Sequence, residues 1–162
     1  MQQHESLVDD SNQYLSFSLD CEEYGVDILR VQEIREWQHV RTLPDTPGYV
    51  KGVLDLRGII VPIIDLRSRF NMDNVEYTAT TVIIVLVVMT DDKQLMVGVV
   101  VDSVSDVLDI PAREIRSAPE LGDGINTRYM NGMVTLDERM VILLDVDRML
   151  SPEELGVLVA AV

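Results

Sequence analysis

Two apolar runs flank a short polar break near the middle of the chain, at residues 52–66. Each run has the length of a strand, and Gly58 at the break suits a tight reversal. The pattern predicts a β-hairpin with Arg57 at its tip. Residues 59–64 carry no polar side chain, which predicts a strand buried on both faces. Pro62 cannot donate a hydrogen bond to a neighbouring strand, so we expect it at a sheet edge or a bulge.

The hairpin pattern occurs twice. Gly52 and Asp65 recur 80 positions later as Gly132 and Asp145, with the apolar positions between them. Upstream, residues 25–34 recur at a spacing of 73, so the second copy carries a seven-residue insertion before its hairpin. A repeat of this kind predicts two similar units with one architecture.

The two copies differ most at the hairpin tip. Arg57 and Gly58 of the first copy correspond to Asp137 and Glu138 of the second. If the fold required the arginine, the second copy would be expected to keep it, so we interpret Arg57 as a functional residue. An arginine on a rigid tip beside apolar neighbours is a good anchor for a partner protein. The alternative is a solvated turn residue without a partner.

The rest of the chain predicts short strands with small helical turns between them. Alternation and apolar runs predict strands at residues 14–19, 24–27, 37–43, 81–89, 95–101, 108–110, 130–136 and 139–144. Asp27 can cap a short helix, although the stripe of Ile28, Val31 and Ile34 also suits a strand. Single helical turns are expected at residues 66–70 and after Pro111.

These elements predict a mainly β chain in which two small barrels share a core. Ser151 as an N-cap, followed by proline and glutamate, marks the start of a terminal helix. We expect a mobile tail and then one domain, at residues 1–12 and 13–162. Within that domain the two barrels and the terminal helix are expected at residues 13–80, 81–150 and 152–160.

Charge and composition narrow the choice of partner. The chain has 162 residues, of which 28 are acidic and 13 basic, so its net charge is −15. Such a charge repels nucleic acid and anionic lipid, and we expect neither as a partner. The single cysteine, Cys21, suits a reducing compartment. No run reaches the roughly 18 apolar residues of a transmembrane helix, and the polar start does not look like a signal peptide. These features predict a cytoplasmic protein.

Candidate catalytic residues are few. The histidines are His4 and His39, and the sequence lacks a phosphate loop, a dinucleotide fingerprint and zinc spacing. A weak hydrolase built on His39 and Asp45 stays open as an alternative. Asp145 and Asp147 could ligate a hard cation, but Asp145 recurs from the first copy at the end of a strand, which favours a helix cap. We therefore expect no catalytic residue, no metal and no cofactor.

Three stretches closely resemble the CheW-like family of chemotaxis coupling proteins, at residues 24–35, 52–66 and 101–108. The resemblance runs from about residue 13 to residue 155. It implies two five-stranded, SH3-like barrels around a shared core. It also implies a stand-alone, non-enzymatic adaptor that couples membrane chemoreceptors to the chemotaxis histidine kinase, in signalling arrays at the inner membrane. The competing hypothesis is a small-molecule-binding double-barrel regulatory domain that uses the groove between the barrels.

The resemblance also implies site residues. Contacts with the cytoplasmic tip of methyl-accepting chemoreceptors fall on Val31, Glu33, Gly52 and Arg57. Contacts with the regulatory domain of the kinase fall on Arg116, Glu120 and Leu121. The chain departs from the family at Asp55, where the hairpin usually has asparagine. A carboxylate accepts hydrogen bonds but cannot donate as an amide does, so we expect Asp55 to pair with Arg57 or with a receptor cation.

Overall fold

The computed structural model describes residues 11–73, 75–90, 93–117 and 129–151. Strands dominate this part of the chain: β1 (Ser11–Leu19), β2 (Glu22–Asp27), β3 (Val31–Glu36), β4 (Val50–Leu56), β5 (Ile59–Asp65), β6 (Val82–Met89), β7 (Gln94–Val101), β8 (Ser103–Pro111), β9 (Met130–Leu136) and β10 (Arg139–Leu144). Single helical turns lie between them: η1 (Ile28–Arg30), α1 (Leu66–Arg69), η2 (Ala112–Glu114) and α2 (Val146–Met149).

The strands form two five-stranded sheets. The first has the order β8-β1-β2-β10-β9, and the second has the order β3-β6-β7-β5-β4. In each sheet a residue outside the strands forms a single β-bridge to the strand at the end of the order, which helps to close the sheet into a barrel. Arg41 pairs with Val53 of β4 in the second sheet, and Arg116 pairs with Met133 of β9 in the first. The predicted fold class, mainly β with two five-stranded SH3-like barrels, is confirmed.

The two sheets exchange strands between the copies of the repeat. The first copy supplies β1–β5 and the second supplies β6–β10. Each sheet takes the first two strands of one copy and the last three of the other. When every strand of the first sheet is replaced by its counterpart in the other copy, the order of the second sheet results. The repeat therefore describes two equivalent, crossed barrels.

This exchange corrects the residue ranges expected for the two barrels, 13–80 and 81–150. The second sheet takes β3–β7, which lie on both sides of residue 80, and the first takes the strands before and after them. The crossing occurs at η1, where the side chain of Asp27 accepts a hydrogen bond from the backbone N–H of Leu29 at 2.9 Å. This capped turn carries the chain from β2 to the other sheet, so β3 pairs with β6.

Several local predictions also need correction. β1 begins at Ser11, inside the predicted tail, because its first residues pair with the end of β8. Residues 37–43 are not a strand, and only Arg41 among them makes a bridge.

β5 is an interior strand, so Pro62 does not lie at an edge; it precedes the three residues that pair with β7. Ile60 is 47% exposed, which limits two-sided burial to the residues after it. The predicted terminal helix lies outside the described residues.

A shared core joins the two barrels. It contains buried side chains from β1 and β2 of the first sheet and from β6 and β7 of the second, among them Phe17, Tyr24, Leu86 and Val97. Each barrel adds a smaller core of its own, around Val61 and Ile83 in the second and around Val141 in the first. Each buried side chain of this size contributes roughly 1.5–3 kcal/mol through the hydrophobic effect, so the barrels stabilise each other.

Candidate functional site

The tip of the β4–β5 hairpin is a tight turn with a fixed backbone. Arg57 and Gly58 have φ angles of 53° and 91°, which are the positive values that a type I′ turn requires. The Asp55 side chain closes the turn, because its Oδ1 accepts a hydrogen bond from the N–H of Gly58 at 2.8 Å. The expected pairing of Asp55 with Arg57 is not what the structure has. The carboxylate instead holds the backbone that presents the arginine.

The equivalent tip in the β9–β10 hairpin has the same backbone with different side chains. Asp137 and Glu138 have φ angles of 50° and 73°. An aspartate therefore adopts the conformation that Arg57 adopts in the first copy. The turn does not depend on an arginine, which agrees with the interpretation of Arg57 as a functional residue.

Arg57 forms an ion pair with Glu33 of β3. Nη2 of Arg57 lies 2.6 Å from Oε1 of Glu33, and Nη1 of Arg35 lies 2.8 Å from Oε2 of the same carboxylate. Hydrogen bonds from Arg57 and then Arg35 lower the pKa of Glu33 below its usual value. Two guanidinium groups and one carboxylate leave this cluster with one positive charge. The side chain of Arg57 is 71% exposed, so its cation faces solvent at the rim of the second barrel.

The structure thus brings together two of the four residues predicted to bind receptor, Glu33 and Arg57. Val31 lies on the same strand, but a bulge separates it from Glu33. Its partly buried side chain packs against the shared core. The Arg57 cluster, which we define as Arg35, Glu33 and Arg57, is the charged part of this candidate site, and Val31 adds an apolar position beside it in sequence.

Gly52 has a steric role. Its φ angle is 147°, and a Cβ atom there would lie 2.1 Å from the carbonyl oxygen of Arg41. Gly132, its counterpart, has a φ angle of 156°, and a Cβ atom there would lie 2.7 Å from the carbonyl oxygen of Arg116. In both barrels a glycine lets the strand approach the closing segment. This geometry explains why the glycine occurs in both copies.

The residues predicted to bind the kinase are only partly described. Arg116 is exposed, and its backbone exchanges two hydrogen bonds of 2.8 Å with Met133. Its segment therefore borders the first barrel, whereas Arg57 belongs to the second. Glu120 and Leu121 lie outside the described residues.

A buried ion cluster was missed by the sequence reasoning. Arg67 is 1% exposed and donates to both carboxylate oxygens of Asp65 at 3.0 and 2.9 Å, and to Asp102 at 2.8 Å. The hydroxyl of Tyr77 donates to Asp65 at 2.6 Å. Burial alone would raise the pKa of Asp65, but the hydrogen bonds from Arg67 and Tyr77 outweigh it, and the pKa is lowered. The sequence did hold a signal for this ion cluster, since Asp65 ends an apolar strand and Arg67 follows it by two residues.

The second copy has a comparable contact at α2. Asp147 accepts from both Nη atoms of Arg30 at 2.6 and 2.7 Å, and from the backbone N–H of Met89 at 2.7 Å. Asp145 caps α2 by accepting from the N–H of Arg148 at 3.1 Å. The expected cap is therefore present, and both carboxylates considered for a cation are occupied by the protein's own donors. Among the described residues, no group of three or more His, Cys, Asp or Glu side chains is placed to hold a metal ion.

An open groove lies beside the hairpin on the second barrel. It has a volume of about 500 Å³ and is lined by His39, Val40, Arg41, Val53, Leu54, Asp55 and Ile60. Asp45, the proposed partner of His39 in a hydrolase, is not among these residues. The groove thus offers a mixed apolar and polar surface, without the hydrogen-bonded dyad that the hydrolase alternative needs.

The CheW-like domain family matches residues 13–154. The chain belongs to the CheW-like family. Chemotaxis protein CheW of Klebsiella aerogenes is 49% identical over 144 residues, which cover 89% of this chain and 84% of that protein. Probable chemotaxis protein CheW of Rhizobium etli is 34% identical over 149 residues, covering 92% of this chain and 94% of that protein.

A solved CheW structure has the same fold. The crystal structure of scaffolding protein TtCheW from Thermoanaerobacter tengcongensis aligns with a TM-score of 0.81 and 27% identity, covering 92% of this chain and 99% of that one. The family resemblance expected from the sequence is confirmed, and this CheW-like chain is a chemotaxis scaffold protein. None of the described helices is long and apolar enough to span a membrane.

Proposed function

We propose that this CheW-like chain couples chemoreceptors to the chemotaxis histidine kinase, and that it does so as an adaptor without catalysing a reaction. The observation that carries the proposal is the placement of Arg57. A rigid turn holds it, the equivalent turn does without it, and most of its side chain is exposed. A cation presented in this way serves recognition better than it serves folding.

The receptor site in this proposal comprises the Arg57 cluster together with Val31, and its partner is the cytoplasmic tip of a methyl-accepting chemoreceptor. A guanidinium offers five donors, and among the described residues Arg57 pairs with Glu33 through Nη2. Most of the Arg57 side chain is exposed, so its remaining donors are accessible to carboxylates or backbone carbonyls on a receptor helix. Gly52 contributes indirectly, by letting β4 close the barrel that carries the site.

The kinase site in this proposal comprises Arg116, Glu120 and Leu121, and its partner is the regulatory domain of the kinase. Arg116 borders the first barrel through its bridge to Met133, and Arg57 extends from the second barrel. Two sites on two barrels allow one adaptor to hold both partners together, within receptor arrays on the cytoplasmic side of the inner membrane.

Co-sedimentation with receptor-containing membranes tests the receptor site. Arg57→Asp should lower receptor affinity roughly thirtyfold or more, as truncation of a central anchor does. Lys93→Asp is the matched control, because it makes the same change of charge at an exposed residue directly before β7. The control should sediment like the wild type. Normal binding by Arg57→Asp would show that this hairpin is not the receptor site.

Kinase binding is tested separately with Arg116→Glu. We expect weaker binding to the regulatory domain of the kinase, with binding to receptor-containing membranes kept. If both activities fell together, a local folding defect would be the simpler explanation, and melting curves would reveal it.

The competing function is a small-molecule regulatory domain. The groove beside the hairpin is the observation in its favour. Such a domain should show a higher melting temperature with a ligand in the absence of receptor and kinase. An adaptor should require those partners for any stabilisation.

A further inference from the structure

Both oxygens of the Glu33 carboxylate are occupied by different arginines. Oε1 accepts from Nη2 of Arg57 at 2.6 Å, and Oε2 accepts from Nη1 of Arg35 at 2.8 Å. Glu33 and Arg35 are two residues apart on β3, so their side chains lie on the same face of the strand. The carboxylate is therefore shared inside the protein before any partner arrives.

A second carboxylate of the same chain shows the alternative arrangement. Asp147 accepts from Nη1 and Nη2 of a single arginine, Arg30, at 2.6 and 2.7 Å. A carboxylate with one arginine within reach is well suited to such a bidentate pair. Glu33 makes no such pair with Arg57, since Arg35 already holds its second oxygen.

Arg35 is poorly explained by stability alone. Its Nε is buried and has no hydrogen-bond partner among the described residues, an arrangement that costs free energy. The equivalent position of the second copy is Leu108, which packs against the core of the first barrel. The fold thus accepts a leucine at this position. Arg35 and Arg57 share the same asymmetry, because each is an arginine in the first copy only.

We propose that Arg35 is a positioning residue of the receptor site, and that the group recognised by Arg57 is a carboxylate of the partner. By holding Oε2 of Glu33, Arg35 prevents Glu33 from neutralising Arg57 in a bidentate pair. The free donors of Arg57 then remain aimed at solvent, where a partner carboxylate can take two of them. This inference rests on the proposed receptor site and adds the chemistry by which the site selects its partner.

Binding to receptor-containing membranes tests the inference with Arg35→Leu, which introduces the residue of the second copy. Without Arg35, Glu33 can close on Arg57 with both oxygens, and affinity should fall about three- to tenfold, as for loss of a favourable charge contact. Adding Glu33→Gln to Arg35→Leu should rescue this loss, because a neutral amide at residue 33 releases Arg57. The double variant should then bind receptor with an affinity within about twofold of that of Glu33→Gln alone. Arg35→Lys keeps the charge and should bind more tightly than Arg35→Leu.

A merely structural role for Arg35 predicts a different pattern. Loss of packing would not be rescued by Glu33→Gln, so failure of the rescue overturns the inference. Unchanged binding by Arg35→Leu overturns it too. Arg35→Gln serves in the same tests if the leucine variant melts early.

Arg57→Ala in the same assay separates the inference from the proposed function. If Arg57→Ala binds receptor normally, the receptor site itself is misplaced. If Arg57→Ala loses binding while Arg35→Leu keeps it, the site stands and only the role of Arg35 falls.

Discussion

The carbonyl oxygen of Arg41 occupies the space that a side chain on Gly52 would need, since a Cβ atom on Gly52 would lie 2.1 Å from it. The same carbonyl accepts a hydrogen bond from the N–H of Val53 at 2.8 Å. Gly52 is therefore part of the contact that closes the second barrel. We therefore expect a substitution at Gly52 to move β4, and through β4 the hairpin that carries the proposed receptor site.

Gly52→Ala should destabilise the protein by about 2–4 kcal/mol, because it combines a clash with backbone and a strained φ angle. Urea unfolding measures the change. Gly48→Ala is the matched control, since a Cβ atom there meets nothing within 4 Å, and it should change stability by less than about 0.5 kcal/mol. A Gly52→Ala variant of normal stability that failed to bind receptor would restore a direct role for this residue.

Arg57→Asp should leave the fold intact. It introduces the residue that the second copy has at the same position, where Asp137 adopts a φ angle of 50° against 53° for Arg57. The lost ion pair is exposed, so thermal unfolding should show a change within about 1 kcal/mol. A loss of more than about 2 kcal/mol would mean that Arg57 serves folding as well as recognition.

Arg67→Met should be among the most destabilising single changes. It leaves the buried carboxylate of Asp65 without its ion partner, which costs about 3–5 kcal/mol. Tyr77→Phe removes a single hydrogen bond to the same charged carboxylate and should cost about 1.5–3 kcal/mol. Arg148→Met serves as the control, because the Arg148 side chain is 66% exposed, and should cost less than about 0.5 kcal/mol in the same denaturation assay. Equal effects of Arg67→Met and Arg148→Met would argue against the buried cluster as a stabilising element.

Stability should fall in acid. Burial opposes ionisation of Asp65 and Asp147, yet hydrogen bonds from Arg67 and Tyr77 at the first, and from Arg30 at the second, give both carboxyls lowered pKa values. A group with a lowered folded-state pKa stabilises the fold above its unfolded pKa of about 4, and this contribution is lost as the pH falls through the folded-state value.

These two carboxyls should therefore leave the urea midpoint of unfolding nearly constant from neutral pH to about pH 5. At pH values below about 4 the midpoint should decrease. Asp147→Asn should make the acid drop shallower, because one linked carboxylate is gone. Midpoints that rose between pH 5 and pH 3 would contradict the assignment.

Much of the local structure followed from the sequence, although the strand predicted at residues 37–43 did not. The hairpins at residues 52–66 and 132–146, and the caps at Asp27 and Asp145, depend on neighbouring residues that hydropathy and turn chemistry describe well. Pairing between distant strands did not follow. In a repeat, β3 fits β1 of its own copy by pattern as well as it fits β6, so periodicity cannot distinguish a crossed from an uncrossed arrangement.

Ion pairs do distinguish the two arrangements. Arg67 and Asp147 are the same position in the two copies, and their partners Asp102 and Arg30 each lie directly before the third strand of a copy. In the crossed arrangement opposite charges meet. If each helix contacted the junction of its own copy, Arg67 would meet Arg30 and Asp147 would meet Asp102, which are like-charge pairs. These charges were visible in the sequence, but their significance depends on the three-dimensional pairing.

The candidate site was only partly predictable, because it too depends on which strands lie side by side. Arg57 was inferred from the difference between the two hairpin tips, whereas Glu33 entered only through the family resemblance. The structure shows that the two residues form an ion pair. Arg35 was missed, although the two-residue alternation of a strand places it on the same face as Glu33. That signal carries weight only once β3 is known to be a strand, and the stripe of Ile28, Val31 and Ile34 left helix and strand open.

The crossed connectivity is the one expected for a symmetric dimer of half-length chains in which each chain places its last three strands in the sheet of the other. In this protein the two halves are joined covalently by residues 70–81. Two separate chains of that kind would carry identical hairpin tips, because one sequence would specify both. Joining them frees each tip to diverge while the exchanged strands keep the halves inseparable. The two tips do differ, with Arg57 on one and Asp137 on the other. A single polypeptide can in this way present two unlike faces from one duplicated plan.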